Sequence, residues 1–218
     1  MKIPKIFLSL IIVSAITLLS GCSNNISSTS ASSDNTLSEI TETDGNAVGR
    51  YLNGLNTFDV TSTDLTDGVW NDSISKTHIG DNASPQLSWT PIDGAKAYVI
   101  YMVDDNTNGF LHWRSNNVTE TELPHGWASA TEYAGPHIGH GYTHTFNIYV
   151  IAVKEPVETL SGAVNSVNPK LDEFIQSVDT GINGSSGNII AYGVVSGTFT
   201  DARFRGDRTV DKNKPYYM

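Results

Sequence analysis

Runs of β-type patterning recur through the middle of the chain. TFDVTST (57–63) alternates apolar and polar residues, as a strand with one buried face does. QLSWT (86–90) is short and ends at Pro91-Ile92-Asp93-Gly94, a turn signal. AYVIYMV (97–103) is apolar on both faces, which predicts a central strand covered on each side. FLHWRSNNV (110–118) follows a turn rich in Asn, Thr and Gly, so the two runs read as a hairpin. THTFNIYVIAV (143–153) is the longest such run, and NIIAYGVVSGTF (188–199) follows the same pattern. Between them Leu171, Phe174, Ile175 and Val178 fall at i, i+3, i+4 and i+7 and predict an amphipathic helix, with Asn168 as N-cap and Pro169 at its first position. A further helical turn or two fits residues 156–166 less well. The expected architecture is one mainly-β domain over 51–200 with one or two helices in its C-terminal half.

The ends differ from this domain. Lys2 and Lys5 precede an almost unbroken apolar run from Ile6 to Leu19, closed by Leu19-Ser20-Gly21-Cys22. A basic start, an apolar core of modest length and small residues at its end predict a secretory signal peptide over residues 1–21. Leu-Ser-Gly-Cys resembles the bacterial lipobox, which implies lipidation of Cys22, the single cysteine of the chain. Residues 22–50 are rich in Ser, Thr and Asn, and read as a flexible tether of about 30 Å reach. The tail, 201–218, carries mixed charge without periodicity. A lipid anchor of this kind implies a bacterial envelope protein, on the outer face of the cytoplasmic membrane or on the outer membrane.

Charge sharpens the picture. The chain has 13 Lys+Arg against 23 Asp+Glu, a formal net charge of −10. Removing residues 1–21 takes away Lys2 and Lys5 and no acid, leaving 11 against 23, or −12. Such a balance argues against nucleic acid as a partner and against electrostatic adhesion to anionic lipid. Membrane attachment is therefore expected through the acyl group, at about 0.8 kcal/mol per buried methylene.

Candidate chemistry concentrates in a few places. Asp104-Asp105 ends an apolar run, which reads either as a solvated strand end or as one wall of a ligand pocket. His112, between Leu111 and Trp113, reads as a core histidine or a ligand-facing one. His144 opens another apolar run. The chain contains no Gly-x-Ser-x-Gly elbow, His-Glu-x-x-His, phosphate-binding P-loop or paired-cysteine metal site.

The order of these features resembles a known family. Gly80-Asp-Asn-Ala-Ser-Pro85 and Leu87-Ser88-Trp89 precede Asp104-Asp105; then come Phe110-Leu-His-Trp113, Asn117, Leu123-Pro124, Tyr133-Ala-Gly-Pro136 and His144-Thr-Phe146. The succession is similar to that of the phosphatidylethanolamine-binding protein (PEBP) family, in its bacterial Raf-kinase-inhibitor-like branch, from about Phe58 to Phe199. The resemblance implies an antiparallel β-sandwich with a small anion pocket at one end of the main sheet. It places Asp105, His112 and His144 there, beside Asp104, with Tyr133, Gly135 and Pro136 on the rim.

A carboxylate beside two imidazoles is expected to raise their pKa values, so that they donate charge-assisted hydrogen bonds to a phosphorylated or other anionic ligand. The motifs also depart from the family's. Asp105-Asn-Thr-Asn-Gly109 stands where Asp-Pro-Asp-Ala-Pro is usual, Gly135-Pro-His-Ile-Gly139 where Gly-Pro-Cys-Pro-Pro is usual, and His144-Thr-Phe146 in place of His-Arg-Tyr. A loop without its prolines is expected to be less rigid. His137 and His140 read as exposed loop residues that could add donors at the rim.

The leading expectation is a membrane-tethered binding protein for a small anionic or phosphorylated ligand. An inhibitor or regulator of a protease or kinase-like protein partner is the alternative. A hydrolase or two-His-one-carboxylate metal site ranks below both, because no activated nucleophile is evident; no enzymatic activity, cofactor or metal is expected.

Overall fold

A computed structural model describes Val48 and residues 51–201. The signal-peptide, Cys22 and tether expectations lie outside the described residues apart from Val48, as does the tail beyond Asp201. In chain order the elements are β1 (Asn56–Thr57), β2 (Val60–Thr61), β3 (Leu65–Thr66), β4 (Val69–Trp70), β5 (Leu87–Trp89), β6 (Ala97–Asp104), β7 (Phe110–Val118), β8 (Glu122–Leu123), β9 (Thr143–Val153), β10 (Ser166–Val167), α1 (Leu171–Asp179) and β11 (Ile189–Thr200). The large sheet runs β10-β7-β6-β9-β11-β4-β3, with β1 also on β11; a small sheet runs β2-β5-β8. β6, β7, β9 and β11 pair antiparallel, whereas β1 and β4 run parallel to β11, so the large sheet is mixed.

The doubly apolar run behaves as its pattern predicts: every residue of β6 is buried. Its even positions, Tyr98, Ile100 and Met102, join Trp113, Phe146 and Ile148 in a core shared with Leu87, Trp89 and Leu123 of the small sheet. Its odd positions, Val99, Tyr101 and Val103, join Tyr149 and Ile151 in a second core under Phe174, Ile175 and Val178 of α1. Tyr101 and Phe174 stack with ring centroids 3.8 Å apart. Each fully buried large apolar side chain contributes about 1.5–3 kcal/mol, so the middle strands, covered twice, hold the molecule together.

Several local expectations need correction. TFDVTST is two strands: β1 joins the large sheet at Ala191 and Tyr192, and β2 joins the small sheet at Ser88 and Trp89, so the chain changes layer between them. α1 is capped at Lys170, without a side-chain capping bond. Asn168 instead closes the preceding loop, accepting from Ala163 N–H at 2.7 Å and donating to Ala163 O at 2.9 Å.

Residues 156–166 contain no helix. A helix there would need the carbonyls of Val157, Leu160 and Gly162 for its own ladder. They are taken instead by Asn116 and Asn117 at 2.9 and 3.0 Å, and by the Arg114 guanidinium, which reaches Leu160 O at 3.0 Å and also Gly162 O. The β3–β4 hairpin turns on Asp67 (φ 50°) and Gly68 (φ 74°), an Asp-Gly signal present in the sequence and overlooked in its reading.

Candidate functional site

Register brings the candidate residues to one end of the large sheet. Asp104 lies opposite Phe110 on β7 and opposite Phe146 on β9, so Asp104 and His144 meet where their strands end. On β7 the register slips: Met102 faces Trp113 but Val103 faces Leu111, leaving His112 as the extra residue of a bulge. A bulge re-aims side chains. His112 thereby turns to the same side as Phe146, with ring centroids 5.1 Å apart, while His144 lies 6.4 Å from Phe146.

The polar contacts are closed at one edge and open at the other. Asp104 Oδ2 accepts from His144 Nδ1 at 2.6 Å, and Asp104 Oδ1 accepts from Asn106 N–H at 2.8 Å. The Asp104 side chain is 3% exposed and that of His144 21% exposed, so the imidazole is the partly open member of the pair. His112 Nδ1 donates to Ala134 O at 2.7 Å, and His137 Nδ1 donates to Gly135 O at 2.9 Å. The rings of Phe110, His112 and His137 pack on one another at 4.9 to 5.5 Å.

The electrostatics differ from the expectation that a carboxylate raises both histidines. Burial pushes His112 down to about 3, against the bond to Ala134 O, and His137 and His144 act in the same downward direction. The residue is 2% exposed, and desolvation of its cation outweighs the hydrogen bonding to the loop backbone at Ala134 and Gly135. His112 is therefore neutral in the physiological range.

The loop facing β7 is fixed from several sides. Ala134 N–H donates to His112 O at 2.7 Å, Gly135 N–H to Asn82 Oδ1 at 2.8 Å, and Lys76 N–H to Pro136 O at 2.9 Å. A Cβ on Gly135 would lie 2.0 Å from Ile74 O, so no larger residue fits without backbone movement. Asn82, held at φ 54°, is how the Gly80–Pro85 stretch serves the site: its side chain positions the loop.

The predicted residues are therefore distributed unevenly. Asp104, His112 and His144 come together. Asp105 does not join them: strand alternation turns it to the other face, where Asn147 Nδ2 donates to its Oδ2 at 2.6 Å. Its Oδ1 is buried without a hydrogen-bond partner, and burial raises its pKa above 3.8, opposed by the Asn147 bond and assisted by the Asp104 charge. Tyr133, Gly135 and Pro136 are buried rather than exposed at a rim, and the Tyr133 hydroxyl donates to Ile74 O at 2.8 Å.

The proline-free turn after Asp105 is tied by its own side chains. Asn106 Oδ1 accepts from Thr145 N–H at 2.7 Å, and Thr107 Oγ1 donates to Asp104 O at 3.1 Å. His137 is an exposed loop residue, as its sequence context implied, but its packing on His112 and Phe110 was not foreseen. The pair of aromatic residues flanking Leu111 and the Gly-rich loop carried that signal only weakly.

Among the described residues, no group of three His, Cys, Asp or Glu side chains is arranged to hold a metal ion. A separate open groove of about 410 Å³ runs beside α1, lined by Glu158, Glu173, Gln176, Ser177 and Gly181, and contains none of the predicted site residues.

No family model and no curated protein matches the chain. Solved structures do. Escherichia coli YbcL, described as a member of the mammalian PEBP family, is 21% identical, covering 66% of this chain and 98% of its own, with a TM-score of 0.50. A putative PEBP homologue from Chlamydia trachomatis is 22% identical over 66% of this chain and 97% of its own, with a TM-score of 0.46. The chain has the PEBP-like, mainly-β fold that its motif order implied.

Proposed function

We propose that this chain is a membrane-tethered binding protein that holds a small oxyanion, of phosphate or phospholipid head-group type, where Asp104, His144 and His112 meet. The observation that carries the reading is the 2.6 Å Asp104–His144 contact at the sheet end, with the carboxylate buried and the imidazole partly open. Asp104 orients the ring through Nδ1 and leaves Nε2 for the ligand. In its protonated form Nε2–H gives a charge-assisted bond to an anionic oxygen. His112 and His137 complete an aromatic floor and edge beside it. The likeness of fold to PEBP-family structures supports a binding role, and the lipobox-like segment ending at Cys22 supports attachment to an envelope membrane.

The role proposed is binding rather than catalysis. Calorimetry of the full chain with phosphoethanolamine tests it. The His144→Gln variant is expected to bind at least about tenfold more weakly, the scale of one charge-assisted hydrogen bond. Equal affinity of the variant and the parent would refute the assignment.

A further inference from the structure

Each of the three imidazoles in the cluster is fixed through the same atom. His112 Nδ1 meets Ala134 O at 2.7 Å, His137 Nδ1 meets Gly135 O at 2.9 Å, and His144 Nδ1 meets Asp104 Oδ2 at 2.6 Å. A carbonyl or ionised carboxylate has no hydrogen to give, so the ring nitrogen must supply it. In the neutral ring Nδ1 then carries the proton and Nε2 is a bare lone pair. His112 is held in this neutral state by its burial, so its Nε2 accepts and does not donate.

Bare imidazole nitrogens attract either a metal ion or a hydrogen. Among the described residues no trio of such side chains is placed to hold a metal, which leaves a hydrogen. An oxyanion made only of acceptors would set an oxygen lone pair against that of His112 Nε2. A singly protonated phosphate monoester carries both kinds of group. Its P–O–H can donate to a neutral Nε2, while its ionised oxygens accept from His144 in the protonated form.

Resting on the oxyanion reading above, we propose that this site selects phosphate monoesters in their singly protonated form over sulfate and over phosphate diesters. The second ionisation of such monoesters falls near pH 6, so the required form is well populated in mildly acidic conditions. The selectivity refines the ligand class: a terminal phosphate fits, whereas the diester linkage of an intact phosphatidyl head group does not supply the hydrogen.

Calorimetry on the full chain at pH 6 separates the possibilities, with inorganic phosphate, phosphoethanolamine, sulfate, dimethyl phosphate and ethanolamine as probes. Phosphate and phosphoethanolamine are expected to bind at least about tenfold more tightly than sulfate or dimethyl phosphate, the effect of one unmatched buried acceptor. Stronger binding of phosphoethanolamine than of inorganic phosphate would assign the source to an esterified ligand, and equal binding to the phosphate group alone; both outcomes support the selection. Sulfate or dimethyl phosphate binding as tightly as phosphate would overturn the selection and leave the oxyanion reading standing. Absence of any oxyanion binding, or ethanolamine binding as well as phosphoethanolamine, would remove that reading and the selection with it.

Discussion

Asp104 and Asp105 are consecutive in the chain yet occupy two different regions. Asp104, on the face covered by the small sheet, has both oxygens satisfied, by His144 and by the Asn106 amide. Asp105, on the face covered by α1, has one oxygen bonded to Asn147 and the other buried without a partner. The second face also buries the Tyr101 hydroxyl without a partner, above a ring stacked on Phe174. Asp104 and His144 on the first face are aligned with one another at a partly open edge, while Asp105 and the Tyr101 hydroxyl on the second are tolerated inside a packing layer. Two acids of one strand end thus teach that the face a residue occupies decides its role more than its residue type.

Truncating one aromatic on each face tests this division most strongly. Phe146→Ala and Phe174→Ala are each expected to cost about 3–5 kcal/mol in chemical denaturation, since both are buried. Phosphoethanolamine affinity should fall only for Phe146→Ala, whose ring lies between His112 and His144. Comparable binding losses in the two variants would erase the distinction.

Gly135→Ala comes next. The added Cβ would sit 2.0 Å from Ile74 O, so the loop that accepts the His112 hydrogen must shift, at a cost of about 1–3 kcal/mol. A melting curve unchanged by this substitution would contradict the close approach.

The two acids themselves give a smaller and more specific test. Asp104→Asn should weaken phosphoethanolamine binding about tenfold by removing the charge behind His144. Asp105→Asn should leave it within about twofold, as a group on the opposite face would. A reversal of the two results would move the site to the other face.

The smallest effects are in pH profiles. Because the folded pKa of Asp105 lies above 3.8, the folded state holds its proton more tightly, and stability falls as pH rises through the window just above 3.8. Asp105→Asn should remove that fall. His112 has the opposite sign. Its folded pKa of about 3 lies below the ordinary 6.5, so the unfolded chain takes up the proton first and stability drops as pH falls from 6.5 toward 3. Denaturation midpoints measured across both windows check these slopes, with His112→Gln expected to flatten the second.

Much of the fold was legible because periodicity reports burial directly. AYVIYMV announced a strand covered twice, and Leu171, Phe174, Ile175 and Val178 announced the buried stripe of α1. The segment at 156–166 misled because its apolar residues, Val157 and Leu160, are anchored by side chains arriving from β7, which no local pattern records. The site was partly legible: motif order gathered His112, His144 and the adjacent acids, but gave Asp105 the place that Asp104 takes beside His144.

The sequence by itself determined where the long strands and the helix α1 form, that the chain is strongly acidic, and which few residues carry useful chemistry. Only the tertiary structure decided which acid meets His144, because that depends on the parity of the strand pleat. It also decided that His112 faces the same side, through one extra residue in β7, and that this ring stays neutral, because the energy of its charge is set by how completely packing excludes water.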